Sequence, residues 1–222
     1  GDDWNFEKHI QFDVNPEQED FISAIKSNLL WDIQHSVEKQ DFDTMCQMPE
    51  PFKFAKVKVS KVFKMDGATP SYDKGALVEV DSEVQEKYDY ITRTVENRGI
   101  CERTGFISKN GLFPRGTFSL GLLQMAFFFR PNEWYAGQFV KIIHCIDDVD
   151  DDAKIYLEAI LNGLSNKLLS VLVRDVERTF YESEILLPVK RDGKIDYEWM
   201  SNYTKTTKKN IGQFIQGLCK RH

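Results

Sequence analysis

Apolar positions recur along this chain with two periods, one near 3.6 residues and one of two, and the switches between them mark a helical start, a strand-rich middle and a helical end. Pro16 and the acids Glu17, Glu19 and Asp20 precede Phe21, Ile22, Ile25, Leu29, Ile33 and Val37, which predicts a helix over 17–39 with acids at its positive end. Residues 41–51, with Pro49 and Pro51, read as a linker. Over 53–64, Phe54, Val57, Val59, Val62 and Phe63 interleave with Lys56, Lys58 and Lys61, the pattern of a strand and its continuation.

From there to Cys145, short β-rich runs at 76–80, 88–94, 106–108, 117–120, 125–129 and 139–144 alternate with glycine turns. An acidic run over 147–152 then leads into Ile155, Tyr156, Ala159 and Ile160, a helical spacing, with a second helical piece through Leu164, Leu168, Leu169, Leu172 and Val173. The apolar run 185–187 predicts a buried strand that stops at Pro188, which has no N–H for a ladder, and Asp192-Gly193 supplies a turn. Asp196 is placed to cap a last helix, whose face carries Met200, Tyr203, Thr207, Ile211, Phe214, Ile215 and Leu218. The expected class is α+β: a twisted, mainly antiparallel sheet with flanking helices and a terminal amphipathic helix.

Composition narrows the setting. The 222 residues, 41% of them apolar and 13% aromatic, suffice for one good core. No apolar run is long enough for a membrane helix and the N-terminus has no signal-peptide pattern, so the chain reads as cytoplasmic with no membrane partner. It opens on Gly1 rather than Met, which leaves room for an upstream segment such as a methyltransferase domain. Cys46, Cys101, Cys145 and Cys219 are too scattered for a zinc site or a disulfide framework.

Charge is unevenly shared. The formal net charge is -6, yet residues 1–50 hold twelve Asp/Glu and three Lys, net -9, so the remainder carries 29 - 3 = 26 basic and 35 - 12 = 23 acidic groups, net +3. That balance permits nucleic-acid binding by a basic face.

Catalytic constellations are absent. The 147–152 acids lack the glycine and terminal Glu of a calcium loop and abut a helix N-terminus, where negative charge is favoured without any metal. Glu79, Asp81 and Glu86-Lys87 lack nuclease spacing, no glycine-rich cofactor loop follows a strand, and His9, His35, His144 and His222 lie in no nucleophile motif. No enzyme activity and no cofactor are expected. The loops instead hold Arg93, Arg98, Arg103, Lys109, Arg115 and Arg130 among Thr92, Thr94, Asn97, Ser108, Asn110 and Thr117, a mixture suited to gripping phosphates or guanine edges and reading adenine through amides. Plain solvated loops have the same composition, and Arg93 has a second reading as a residue that pins the sheet by pairing with a carboxylate.

Four segments, in order, carry a family resemblance. Tyr90-Ile91-Thr92-Arg93-Thr94 with Asn97-Arg98-Gly99-Ile100 is similar to a "Y-I-T-R-T-x-x-N-N-G-I" segment, with Arg98 in place of the second Asn. Gly116-Thr117-Phe118-Ser119-Leu120-Gly121, then Phe127-Phe128-Phe129 with Trp134-Tyr135-Ala136-Gly137, matches a glycine-bounded strand, an aromatic strand and a "Y-A-G" turn. The stretch from Ile185 through Pro188, Gly193 and Asp196 to Met200 and Tyr203 matches the close of the same domain. Together they resemble the target recognition domain of specificity (S) subunits of restriction-modification systems, in particular the BcgI-like and type I-like group.

The resemblance implies a noncatalytic module that reads a short duplex DNA sequence and directs a methyltransferase (M) subunit, and through it an endonuclease, to that site, with S-adenosylmethionine belonging to the partner. It implies DNA contacts among Thr92, Arg93, Thr94, Asn97, Arg98, Lys109, Asn110 and Arg115. The expected division is an acidic helical appendage and linker over 1–50, a target-recognition-like domain over 51–195 and a spacer or dimerisation helix over 196–222. The chain is then expected to be either half of a two-domain subunit or a half-size subunit that pairs through the helix over 196–219 as a homodimer and reads a palindromic site. A protein-interaction domain that kept this fold and no longer reads DNA is the other reading, favoured by the acidic first 50 residues.

Overall fold

The computed structural model describes residues 46–66, 70–80 and 87–219. The helix expected over 17–39 lies outside the described residues. Strand β1 (Lys53–Lys58) pairs antiparallel with β10 (Glu184–Val189) as a separate ribbon. A four-stranded antiparallel sheet follows the order β2-β9-β6-β7, from β2 (Phe63–Met65), β9 (Val140–Cys145), β6 (Thr117–Gly121) and β7 (Ala126–Arg130). A second sheet has the order β4-β3-β8-β5, from β3 (Tyr88–Ile91), β4 (Ile100–Thr104), β5 (Leu112–Phe113) and β8 (Trp134–Ala136), with β3 and β8 parallel. The described helices are α1 (Asp151–Asn162), α2 (Ser165–Leu169), α3 (Val176–Glu182) and α4 (Tyr197–Cys219).

The β2-β9-β6-β7 sheet is covered on both faces, and the period of two sorts its residues between them. Phe63, Phe118, Leu120, Phe127, Phe129 and Ile143 face the helices, where they meet Leu157, Leu161, Phe180 and Met200. Val140 and Ile142 point the other way and join Ile91, Phe113, Trp134 and Ala136 of the second sheet. Every residue of β6 is buried as a result, so its polar members need partners: Thr117 Oγ1 accepts the Trp134 indole N–H at 3.0 Å, and Ser119 Oγ accepts from Arg130 at 2.7 and 2.9 Å. Truncating a fully buried side chain such as Phe118 to Ala costs about 3–5 kcal/mol.

Helix starts follow the sequence closely. Asp150 caps α1 by accepting from Ala153 N at 2.8 Å, and Asp196 caps α4 by accepting from Trp199 N at 3.0 Å. α4 runs back along α1, with Tyr156 against Trp199 and Tyr203 (ring centroids 5.7 and 5.6 Å) and Asp152 paired with Lys205 and Lys208. None of the described helices is long and apolar enough to cross a membrane.

Several strand boundaries differ from expectation for local reasons. No strand forms over 76–80: Lys74–Ala76 is a 3-10 turn, and Thr104 Oγ1 takes the Val78 N–H at 2.8 Å in place of a ladder. Residues 106–108 are also not a strand, because the Tyr135 hydroxyl accepts from both Ile107 N and Ser108 N (3.1 and 3.3 Å). Trp134–Ala136, which reads as a turn, is a strand held by β3 and β5. Strand β10 continues through Pro188 to Val189. The Pro188 carbonyl accepts from Asp196 N at 2.9 Å, so that edge of the residue points away from β1 and its missing N–H costs no ladder bond.

Candidate nucleic-acid interface

Strand register gives the two four-stranded sheets a common end. Ile91 and Ala136 are parallel neighbours at the close of β3 and β8, Gly121 pairs with Val140 and Ala126 where β6 ends and β9 and β7 begin, and residues 137–139 join β8 to β9 there. Four connections therefore gather at this end: 92–99 between β3 and β4, 109–111 leading into β5, 122–125 between β6 and β7, and 137–139. Three of them come into contact: Leu122 N donates to Phe139 O at 2.9 Å, and a Cβ on Gly121, where β6 meets the 122–125 turn, would lie 3.1 Å from the Arg93 backbone. Arg93 is exposed, with its guanidinium 5.2 Å from the centre of the Phe139 ring. Leu123 and Phe139 are 60% and 54% exposed beside it.

The 92–99 loop is tied down from within. Thr92 N donates to Gly99 O at 2.9 Å, closing the loop, while Asn97, Arg98 and Gly99 turn through successive positive φ values of 45°, 55° and 79°. That conformation is unfavourable for Arg and accessible to Asn and Gly. Something must hold Arg98 in it. The Arg98 side chain is buried and pairs with Glu158 of α1 at 2.7 Å, Glu158 also accepts the Phe129 N–H at 2.8 Å, and the Arg130 guanidinium donates to the Arg98 carbonyl. Burial raises the Glu158 carboxyl above its usual value despite the two guanidinium groups, and burial with the neighbouring Arg98 charge pushes Arg130 down to about 9. Gly99 is tightly placed: at its positive φ a Cβ would sit 3.2 Å from both the Thr92 and the Thr94 carbonyl oxygens.

The residues expected at a DNA surface separate accordingly. Thr92, Arg93, Thr94 and Asn97 share the tied loop, with Thr94 Oγ1 accepting from Glu96 N and the Asn97 amide donating to Ile100 O, both at 3.2 Å. Lys109 and Asn110 are exposed one position before the Gly111–Leu112 entry to β5, at the same end, where the Tyr72 hydroxyl donates to the Asn110 carbonyl. Arg98 and Arg130 face the interior, and Thr117 is held by Trp134. Arg115 lies at the opposite end beyond Phe113, paired with Asp151 at 3.4 Å, and Arg103 pairs with Asp89 at 3.3 Å. Gln124, Gln138 and Phe139 join the shared end without having been singled out in the sequence; their signal is the short turns between apolar runs, and the pairing of those turns is tertiary. The acids at 147–152 serve as cap and ion-pair partners of α1 and α4, and the Tyr197 hydroxyl donates to Asp147 at 2.9 Å.

Residues 51–216 match the type I restriction modification DNA specificity domain model. The chain belongs to that family. The match is to the type I family as a whole. No curated protein matches the chain. Among solved structures, it is similar to the type I restriction-modification S subunit from M. genitalium (TM-score 0.48, 9% identity, covering 74% of this chain and 41% of that one). It is also similar to the HsdS subunit from Thermoanaerobacter tengcongensis (TM-score 0.48, 9% identity, covering 90% of this chain and 48% of that one). This specificity-domain chain thus spans less than half the length of either structure.

Proposed function

We propose that this specificity-domain chain is a single, noncatalytic target recognition unit that reads a short duplex DNA sequence with the gathered loops and brings an M subunit, with its endonuclease, to that site. The observation that carries this reading is the cluster of polar, cation-bearing loops at one sheet end, over a scaffold fixed by the buried Arg98–Glu158 pair. Arg93 and Lys109 supply cations for phosphates or guanine edges, and Asn97 and Asn110 supply amides for adenine, each good base contact being worth about 1–3 kcal/mol of discrimination. Thr92 and Thr94 shape the loop that presents them. Methyl transfer and its S-adenosylmethionine belong to the M subunit.

The recognition unit spans 51–195 in this reading, and 196–222 provides the helix through which two copies, or two halves of a longer subunit, pair; self-pairing makes the site palindromic. Deleting 196–222 is a poor test, because Met200 and Trp199 lie in the core. Light scattering of the whole chain is a better one, and a monomer at micromolar concentration removes the homodimer. Selection of bound duplexes from a randomised pool at low salt, alone and with the cognate M subunit, tests the reading itself. An enriched motif supports it. Folded protein that enriches nothing in either condition overturns it in favour of a protein-interaction domain.

A further inference from the structure

Away from the gathered loops, Lys56, Lys58 and Lys61 line one groove of about 910 Å3 together with Lys194. The groove crosses the β1–β10 ribbon to the 193–197 segment beside it, with Ala55, Val57, Val189 and Ile195 among its apolar walls. Two acids share it: Asp147, which accepts from Tyr197, and Glu184, which lies opposite Lys58 in the ladder. Lys194 pairs with Asp192 at 3.6 Å. Lys56, Lys58 and Lys61, and Lys64 beyond them on β2, pair with no carboxylate among the described residues, whereas Lys74, Arg103, Arg115, Arg178, Lys205 and Lys208 all do. All four lysines are exposed.

We infer that these four lysines form a phosphate track that grips the DNA backbone without regard to sequence. The inference rests on the DNA-reading function proposed above. Three features favour a polyanionic strand over a single small anion. The charges are spread along the chain, with Lys56 and Lys58 about 7 Å apart on one face of a strand. The track also heads toward the reading end: β2 runs from Phe63, opposite Cys145, to Met65, opposite Ile143, so Lys64, opposite His144, carries it from the groove onto the sheet whose other end bears the loops. The six residues of β9 span about 20 Å, less than the roughly 34 Å of one duplex turn, so one bound duplex is long enough to meet both regions. Lysine on a free strand edge also blocks edge-to-edge pairing, a role that needs no nucleic acid and that the following experiment separates.

The test replaces Lys56, Lys58, Lys61 and Lys64 together by Gln in the full chain, and in a second variant by Arg. Equilibrium binding to the selected duplex and to an unrelated duplex is measured from 50 to 300 mM salt, about the range in which counterion release is read. The Gln variant is expected to bind both duplexes at least about tenfold more weakly at low salt, with a salt slope smaller by roughly 2–4 and an unchanged preference between them. The Arg variant is expected to match the parent. A Gln variant that keeps the parent slope while the parent binds its motif overturns the track alone. A Gln variant that keeps affinity for the unrelated duplex but loses the preference assigns the lysines to base reading and also overturns it. A parent that binds no duplex overturns the recognition reading and the track together.

Discussion

The two ends of the sheets hold similar residue types put to opposite uses. At the loop end, Arg93 lies over an exposed aromatic ring and Lys109 is exposed, and neither pairs with a carboxylate among the described residues. At the other end Arg115 and Lys154 meet Asp151, while Lys205 and Lys208 meet Asp152. The placement of the acids makes the difference. The run at 147–152 takes up four cations at one end as it caps α1, whereas Glu158 of α1 is buried beneath the 92–99 loop and holds it in shape. A cation is available to a polyanion only where the fold has not already paired it.

The largest expected effect lies beneath the loop end. Glu158→Ala removes the carboxylate that pairs with buried Arg98 and should cost about 3–5 kcal/mol, read by urea denaturation, while the paired change Arg98→Met with Glu158→Leu should recover most of it. Equal losses in the single and paired variants would show that the pair does not act as a unit. Next, Gly99→Ala forces a side chain into a left-handed position 3.2 Å from two carbonyl oxygens; a loss of about 1–3 kcal/mol is expected from the same assay, and a neutral result would mean that the loop relaxes freely.

The cations come third. Arg93→Ala and Lys109→Ala should each lower the salt slope of DNA binding by about 1 for a phosphate contact, or cost about 1–3 kcal/mol on the preferred duplex alone for a base contact. Arg115→Ala, which removes an exposed pair, should change stability by no more than about 1 kcal/mol and leave DNA binding as it was.

The smallest effect concerns pH at the other end. Burial by itself raises the Asp150 carboxyl, but the Ala153 amide that it accepts from and the nearby Lys205 charge outweigh this and hold it below its usual value. A depressed native pKa gives stability that is complete above the unfolded value of about 3.9 and lost as pH falls through the native one. Asp150→Asn keeps a cap without the charge, so the melting-temperature difference between parent and variant should be flat down to about pH 5 and shrink below about pH 4. A difference that grows on acidification would reverse the assigned direction.

How far the sequence could be read follows the same division. Local signals sufficed for the helix caps at Asp150 and Asp196, for the aromatic strands around Phe118 and Phe127 and for the class of fold, because a cap is one hydrogen bond three residues away and a strand face repeats every second residue. Strand β4 was hidden by its polar run Cys101-Glu102-Arg103, which faces outward at a sheet edge, and the apolar residues 77–80 pointed to a strand that the Thr104 hydroxyl replaces. Both are tertiary choices. Within the candidate site, residue type pointed to 92–98 and 109–110, which the fold places at one sheet end, but nothing near Arg98 signals that its partner stands 60 residues later on α1. Nor does the sequence around Arg115 show that it lies at the far end.

Base reading is proposed for the loop end alone. Duplex selection with three proteins, the parent, the Arg93→Ala/Lys109→Ala double variant and Arg115→Ala, tests it most directly. The account predicts one enriched motif for the parent, the same motif for Arg115→Ala, and a lost or degraded motif for the double variant despite an unchanged melting temperature. A motif that survives in the double variant and disappears with Arg115→Ala would contradict it.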